Sequence, residues 1–241
     1  MGILYRKLIN PFLSKKQIRT LTNFKYNFYF KKSYSQFGED LIISNFFEKE
    51  KIYKKNYLDI GAYHPKMISN THLLHRNNWC GYVVDTSDFK LKIFKRKRGS
   101  SIKTINRAVV SNDEKKEKLS FYFFDLPYSE IDTLSEEFAE EKKRERNVNY
   151  LKKEIKTLKI NDLLKKEDFD FVNIDIEGMD EKIINSIDFK SIYKPKLICF
   201  EDHNFYQKDE NSYVHLINNG YRHLFTSGSS VGFYLYSKGL N

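Results

Sequence analysis

Three short apolar segments, each carrying a carboxylate at or near its end, most constrain the fold of this chain. Residues 57–60 run directly into Gly61, and residues 82–85 end at Asp85. In a doubly wound α/β sheet, such strands place a nucleoside cofactor across their carboxyl ends, and the second carboxylate reaches the ribose hydroxyls. A third segment, residues 171–176, brings a further carboxylate to the same edge. The sequence therefore predicts an α/β fold with a ligand site at this edge of the sheet.

The rest of the chain alternates between strand and helix patterns and finishes with a hairpin. The further predicted helices and strands span residues 35–50, 69–77, 102–110, 119–124, 179–187, 196–200 and 212–219. Residues 221–226 and 231–237 flank a Ser-Gly-Ser-Ser turn, which is typical of a β-hairpin, so the last strand should run antiparallel to its predecessor. This order predicts a Rossmann-like, doubly wound, mostly parallel sheet with an antiparallel C-terminal strand.

One internal segment differs in composition from the rest. Residues 136–154 are densely charged with both signs and only weakly periodic, which is typical of a solvated helix or a mobile lid. A chain of 241 residues suits one large domain with appendages. We therefore expect a single domain over residues 35–241, with a charged insertion at about residues 128–155.

The positive charge of the chain is concentrated near its start. Of the formal net charge of +10, eight units fall in the first 38 residues, which contain no Asp or Glu. Aromatic and aliphatic side chains interleave with the basic ones, so residues 1–34 are interpreted as a basic aromatic arm. Such an arm packs loosely on the domain, contacts an anionic membrane surface or contacts a polyanion. Nucleic acid is the least favoured partner, because the excess positive charge is confined to this appendage.

Cysteine usage and hydropathy bear on the compartment. Cys80 and Cys199 lie in apolar, strand-like contexts, and we interpret them as buried, reduced thiols of a reducing compartment. The apolar run at residues 9–13 is too short for a signal peptide and is broken by Pro11. No stretch of the sequence approaches the roughly 18 apolar residues of a membrane span. We expect a cytoplasmic protein, with peripheral membrane contact through the arm as an open alternative.

Five short motifs occur in an order and spacing that suit one domain. They are Ser35-Gln36-Phe37-Gly38-Glu39-Asp40, Asp59-Ile60-Gly61-Ala62-Tyr63-His64-Pro65, Ser69-Asn70-Thr71, Asn78-Trp79-Cys80-Gly81 and Asp175-Ile176-Glu177-Gly178-Met179-Asp180. On these motifs, residues 35–238 resemble the FkbM family of class I S-adenosylmethionine-dependent methyltransferases. The resemblance implies the class I methyltransferase fold, with a seven-stranded sheet, and S-adenosylmethionine as the cofactor.

The sequence departs from that family pattern in two places. His64-Pro65 stands where many relatives carry a later glycine, and Asp85-Thr86-Ser87 stands where Glu-Pro is more usual. Because aspartate is shorter than glutamate, we expect the ribose contact to be looser or water-mediated.

Roles follow for the residues around the three strand ends. Gly61 lets the backbone approach the cofactor closely, Asp59 is placed to orient the methionine ammonium, and Asp85 is placed to hold the ribose diol. Asn106 lies in a segment that resembles the one near the adenine. For Asp59 and Asp85 the alternative is helix capping at a strand–helix turn. The predicted cofactor-binding residues are Asp59, Gly61, Ala62, Tyr63, Asn70, Asp85, Asn106 and Asp175.

Methyl transfer to a hydroxyl group is helped by a base that removes the acceptor's proton. His203 is the first catalytic candidate, because the pKa of an imidazole lies near neutrality, and Asp175 is the second. A surface or core-capping histidine is the alternative reading of His203, and stabilisation of a helix N-terminus is the alternative for Glu177. The predicted substrate-binding residues are Gln36, Ser129, Glu177 and Glu201.

A divalent metal is a second cofactor to consider. The side chains of Asp175, Glu201, Asp202 and His203 follow two neighbouring strands and include the oxygen ligands that Mg²⁺ and Mn²⁺ prefer. This set suits a divalent metal ion by ligand type, but we do not predict a metal as a cofactor.

The family resemblance implies O-methylation of a sugar or polyketide-type hydroxyl. The leading hypothesis is a methyltransferase acting on a sugar or glycan precursor in surface polysaccharide biosynthesis, with a small-molecule or lipid- or nucleotide-linked acceptor. One alternative is a non-catalytic cofactor-binding or scaffold protein. Another is a methyltransferase acting on a phosphate-bearing or nucleic-acid acceptor. A dinucleotide-dependent oxidoreductase is disfavoured because the later glycines of the phosphate-binding turn are missing.

Overall fold

The computed structural model describes residues 32–50, 53–124, 129, 131–176, 178–202 and 210–236. The chain from Ser33 onward forms one compact unit. Residues 1–31 of the predicted basic arm lie outside the described residues.

A seven-stranded sheet forms the centre of this unit. Its strands are β1 (Asn56–Ile60), β2 (Cys80–Asp85), β3 (Ile102–Asn106), β7 (Phe171–Ile174), β8 (Leu197–Glu201), β9 (Tyr221–Ser227) and β10 (Ser230–Leu235), in the spatial order β3-β2-β1-β7-β8-β10-β9. The first five are parallel to one another, and β10 runs antiparallel between β8 and β9. The predicted α/β fold with an antiparallel C-terminal strand is confirmed.

The strand order reverses between β1 and β7. The chain builds outward from β1 through β2 and β3, then returns to place β7 on the other side of β1. Ligands of open α/β sheets bind outside the carboxyl ends of the strands at such a switch point. The site is therefore expected where Gly61 follows β1 and Asp175 follows β7.

The central strands β1, β7 and β8 are buried on both faces, as expected for a parallel sheet covered by helices. Cys199 in β8 is buried as predicted, whereas Cys80 at the start of β2 is exposed, so the prediction of a buried thiol there is wrong. Leu58 and Ile60 pack on one side of β1, with residues such as Ile183 beyond them. Tyr57 faces the other side, with Phe47 and Phe94. Because side chains alternate along a strand, Asp59 points to the same side as Tyr57.

The described helices are α1 (Glu39–Lys49), α2 (His72–Arg76), α3 (Asp88–Arg98), α4 (Glu136–Arg146), α5 (Ile160–Leu164), α6 (Asp180–Ser186) and α7 (Glu210–Asn218). The predicted helix at residues 35–50 begins later than expected, at Glu39, because Gly38 precedes it with a φ of 89°. Ser35, the expected cap, instead donates a hydrogen bond to the side chain of Asp40, at 2.9 Å. α3 was not predicted, and it supplies two residues of the site.

A second, three-stranded sheet lies beside the first, and only its last strand overlaps the insertion predicted at about residues 128–155. Its strands are β4 (Ala108–Val110), β5 (Lys118–Phe124) and β6 (Tyr150–Lys159), in the order β4-β6-β5. The single strand predicted at residues 102–110 is therefore two strands, divided at Arg107. β3 pairs with β2 and β4 pairs with β6, so the change of strand partner sets the break. Residues 150–154 belong to a strand rather than to a helix or lid.

Among the described helices, none combines the length and the apolar character needed to cross a membrane.

Candidate functional site

A cavity of about 490 Å³ opens at the carboxyl ends of the central strands. The ends of β1, β2, β7 and β8 contribute Gly61, Asp85, Asp175 and Glu201 to its lining. A smaller adjoining pocket of about 30 Å³ is lined in part by Asp59. The three strand ends singled out from the sequence thus meet at one place.

Position 61 has room only for glycine, because the loop after β1 lies directly against the backbone of the loop after β7. Its φ is 76°, and its N–H donates a 2.9 Å hydrogen bond to the carbonyl of Val84. A Cβ atom at this position would lie 1.6 Å from the carbonyl oxygen of Asp175, which is impossible without moving the loop. Asp175 in turn donates its N–H to the carbonyl of Ile60 at 3.0 Å. The absence of a side chain at Gly61 therefore allows the loops after β1 and β7 to lie in contact at the edge of the cavity.

Asp59 is buried within a polar network. Its carboxylate accepts a hydrogen bond of 2.5 Å from Thr71 Oγ1 and another of 3.0 Å from Asn173 Nδ2. Asn70 donates to the side-chain oxygen of Asn173, also at 3.0 Å. Burial raises the pKa of Asp59, while the nearby Arg98 guanidinium and the two hydrogen bonds lower it. The carboxylate is held in a fixed orientation at the floor of the smaller pocket.

Arg98, the last residue of α3, holds the residues around that network in place through hydrogen bonds. Its buried guanidinium donates to Thr71 Oγ1 and Tyr57 Oη at 2.9 Å each. It also donates to the carbonyl of Pro65 at 2.8 Å and to Ser69 Oγ at 3.1 Å. One side chain thus pins the loop between β1 and α2, which carries Asn70 and Thr71.

Asp85 closes β2 and is buried at the cavity wall. Its carboxylate accepts the backbone N–H of Ser87 at 2.6 Å. Burial raises the pKa of Asp85 to about 6, although the charge of Lys90 acts in the opposite direction. The side chain that caps α3 is Ser87 rather than Asp85, because the Ser87 hydroxyl accepts the N–H of Lys90. The carboxylate of Asp85 therefore accepts a hydrogen bond within the turn after β2 and also lines the cavity.

Lys90 is a buried cation in the cavity lining. Its Nζ donates a 2.7 Å hydrogen bond to the carbonyl of Ser129 and lies 5.7 Å from the centre of the Tyr63 ring. It also lowers the pKa values of Asp85 and Asp132, both of which burial raises. Lys90 therefore connects the end of β2 to the segment that follows β5.

The remaining predicted residues fall into three groups. Gln36, Tyr63, Ser129, Asp175 and Glu201 line the larger cavity. Ala62 and Asn70 line the adjoining pocket. Asn106 lines neither cavity; its side-chain amide donates to the carbonyls of Asp85 at 3.1 Å and Thr86 at 2.8 Å, so it holds the turn after β2.

Two predicted residues, His203 and Glu177, lie outside the described residues. The metal hypothesis also includes His203. Within the described part of the chain, no group of three or more His, Cys, Asp or Glu side chains is arranged to hold a metal ion. The set Asp175, Glu201 and Asp202 therefore does not form such a group by itself.

Lys90 and Arg98 were missed because α3 was missed. The sequence of this helix carries six Lys or Arg residues in eleven positions, which obscures its apolar stripe of Leu91 and Phe94. Two signals were present: Ser87 as an N-cap and Gly99 after the last turn. Together they indicate a helix over residues 88–98, but not which of its basic side chains face the site.

Comparison with known protein families decides the identity. The family model described as "Methyltransferase FkbM domain" matches residues 59–223, a span that contains the strand ends of the cavity. The chain belongs to the FkbM methyltransferase family. It is accordingly a methyltransferase that uses S-adenosylmethionine. No curated protein gives a match.

Among solved structures, three similar chains are methyltransferases. Precorrin-6y C5,15-methyltransferase from Geobacter metallireducens is 13% identical, with a TM-score of 0.41 over 86% of this chain and 91% of that one. A TehB-like SAM-dependent methyltransferase from Corynebacterium glutamicum is 10% identical, with a TM-score of 0.40 over 92% and 97%. An O-methyltransferase from Bacillus cereus, in complex with SAH, is 13% identical, with a TM-score of 0.39 over 96% and 95%.

The lining of the FkbM cavity fits its cofactor in chemical terms. S-adenosylmethionine carries a sulfonium, an ammonium and a ribose diol, all of which carboxylate oxygens can face favourably. Asp85, Asp175 and Glu201 supply such oxygens to the cavity, and Asp59 supplies them to the adjoining pocket. The donor set at the strand ends is therefore suited to a cationic nucleoside.

Proposed function

We propose that this FkbM methyltransferase transfers a methyl group to a hydroxyl of a sugar or glycan precursor in surface polysaccharide biosynthesis. The observation that carries the proposal is the pair of carboxylates, Asp175 and Glu201, that line one cavity at the ends of adjacent strands. A hydroxyl acceptor must lose its proton during transfer, and a carboxylate at the reacting centre can accept it. The sugar acceptor itself is proposed from the family resemblance.

S-adenosylmethionine, when bound, supplies an electrophilic methyl group. In this proposal Asp85 binds the ribose diol of the cofactor and Asp59 orients its methionine ammonium. Gly61 lets the protein backbone come close to the cofactor. Support comes from the burial of both carboxylates and from their position at the switch point. Tyr63 and Asn70 complete the donor side, and Asn106 acts indirectly by holding the turn after β2.

The acceptor side is assigned to Gln36, Ser129 and Glu201. Phe121 and Phe138 also line the cavity and offer apolar faces to a sugar ring. Positioning of the acceptor oxygen supplies most of the rate in this account. Glu177 stays a prediction from sequence for the same side.

Asp175 and His203 are the two candidates for the proton acceptor. Replacing the true base slows turnover by roughly 100-fold or more, the usual contribution of general base catalysis. Donor binding should stay unchanged in His203→Ala, whereas Asp175→Asn also removes a carboxylate that faces the cationic cofactor and should weaken donor binding. Asp175→Asn and His203→Ala are therefore compared for S-adenosylmethionine affinity and for turnover. If neither variant slows turnover, both assignments are wrong.

The test of the activity is a transfer assay with methyl-labelled S-adenosylmethionine and a panel of sugar phosphates, nucleotide sugars and lipid-linked sugars. The expected result is label on an acceptor oxygen, identified by NMR of the product. Label on nitrogen or carbon, with no hydroxyl acceptor labelled, would contradict O-methyl transfer. For residues 1–34, loose packing on the domain and contact with an anionic membrane stay as the two alternatives, and co-sedimentation with phosphatidylglycerol vesicles tests the second.

A further inference from the structure

One face of α4 points into the cavity and differs in charge from the rest of that helix. Phe138, Lys142 and Arg146 are four residues apart, so they form one stripe along the helix. All three line the 490 Å³ cavity. The acidic residues of α4, such as Glu136 and Glu137, are not among the residues that line this cavity. The helix thus turns two cations and one aromatic ring toward the site.

A third cation reaches the same cavity from another element. Arg107, at the break between β3 and β4, also lines it, and its Nη1 donates to the carbonyl of Asn106 at 2.7 Å. Lys142 and Arg146 lie on α4 and Arg107 lies between β3 and β4, whereas Asp85 and Asp175 lie at the ends of central strands. The carboxylate of Asp132 and the ammonium of Lys90 line the same cavity. The cavity lining therefore contains both an acidic set and a basic set.

The carboxylates of Asp85 and Asp175 are complementary in charge to the sulfonium and ammonium groups of the cofactor. The basic set is not explained by that cofactor, whose single carboxylate belongs to the methionine end. Lys142 has partners in Glu145 at 2.7 Å and Glu141 at 3.2 Å, but both glutamates are about half exposed, and ion pairs of this kind are weak. A multiply charged anion in the cavity can compete with them.

We infer that the acceptor carries a phosphoryl group, as a phosphomonoester or a diphosphate, bound by Arg107, Lys142 and Arg146 beside Phe138. The inference deepens the proposed O-methyl transfer and rests on it. Guanidinium groups bind phosphoryl oxygens through paired N–H donors, and lysine adds a point charge. The aromatic ring of Phe138, which lines the same cavity, suits the sugar that carries the group.

The test measures binding of inorganic pyrophosphate and of inorganic phosphate, by calorimetry, to the full chain saturated with S-adenosylhomocysteine. The variant is Lys142→Gln/Arg146→Gln. Its control is Lys143→Gln/Arg144→Gln, which removes the same charge from neighbouring positions of α4 that do not line the cavity. Unfolding temperatures of both variants show whether the fold is kept.

We expect saturable binding of at least one anion by the wild type and by the control, and at least tenfold weaker binding by Lys142→Gln/Arg146→Gln. Affinity for S-adenosylhomocysteine should stay within twofold in both variants. Binding of pyrophosphate alone would assign a diphosphate acceptor, and binding of phosphate as well would assign a phosphomonoester.

Three results would overturn the inference: no anion binding by the wild type, equal weakening in both variants, or displacement of S-adenosylhomocysteine by pyrophosphate. The last would mean that these cations serve the donor. Failure of O-methyl transfer itself is distinguishable, because the transfer assay then yields no labelled oxygen while anion binding persists.

Discussion

At the scale of single residues, the charged carboxylate of Asp85 lowers the stability of the fold and is proposed to bind the cofactor. Burial raises the pKa of its carboxyl from the ordinary value to about 6, so the charged form is disfavoured in the folded protein. The folded state therefore binds this proton more tightly than the unfolded state does. The stability gained from protonation is present at low pH and is lost as the pH rises through about 6.

Asp85→Asn should consequently stabilise the fold and weaken the site. At pH 7.5 we expect a gain in unfolding free energy of up to about 3 kcal/mol, since each pKa unit corresponds to about 1.4 kcal/mol. At pH 4 the gain should vanish. Affinity for S-adenosylmethionine should fall roughly tenfold or more, because a charge-assisted hydrogen bond is lost. Urea unfolding at both pH values checks the first part, and a less stable variant at pH 7.5 would refute it.

The charge of Lys90 lowers the pKa of Asp85 and partly offsets the larger effect of burial, which raises it. The charges that act on Asp85 are Lys90, which lowers its pKa, and Asp132 and Asp59, which raise it. In Lys90→Met the pKa of Asp85 should rise further, so S-adenosylmethionine binding should be weak at pH 7 and recover toward pH 8.5. Lys90→Arg, which keeps the charge, is the control. A Lys90→Met affinity loss that is the same at every pH would mean that Lys90 acts only through packing.

At the scale of elements, α3 supports the loop between β1 and α2 through Arg98. Removing its guanidinium leaves Thr71, Tyr57 and the Pro65 carbonyl without these bonds in a buried place. Arg98→Met should therefore cost about 3 kcal/mol or more of unfolding free energy. Because Arg98 also lowers the pKa of Asp59, the loss should be larger at pH 8 than at pH 5. Equal losses at the two pH values, measured by urea unfolding, would contradict this electrostatic part.

The sequence predicted the elements that carry a clear local signal. Strands β1, β2 and β7 are short apolar runs that end at a carboxylate or a glycine, and the hairpin of β9 and β10 has a turn sequence. The division at Arg107 has no local signal, since β-branched residues continue on both sides and only the strand partners differ. α3 was hidden by its six basic residues, so Lys90 and Arg98 were missed with it.

At the scale of the whole molecule, side chains of opposite charge from different elements line one cavity. The strand ends of the central sheet bring Asp85 and Asp175, α4 brings Lys142 and Arg146, and the break between β3 and β4 brings Arg107. The segment predicted as a charged insertion thus forms a wall of the site. The high charge density of this segment is visible in its sequence. The sequence does not show that Lys142 and Arg146 of α4 face the cavity, because the orientation of α4 depends on how β5 and β6 pack.

The most direct test of the account is a calorimetric titration of the purified protein with S-adenosylmethionine, repeated with Asp85→Ala. The account predicts saturable one-to-one binding by the wild type and a loss of at least tenfold in affinity in the variant, with the fold retained by circular dichroism. Equal affinity in both proteins would contradict the assignment of the cofactor to the β2 end of the cavity.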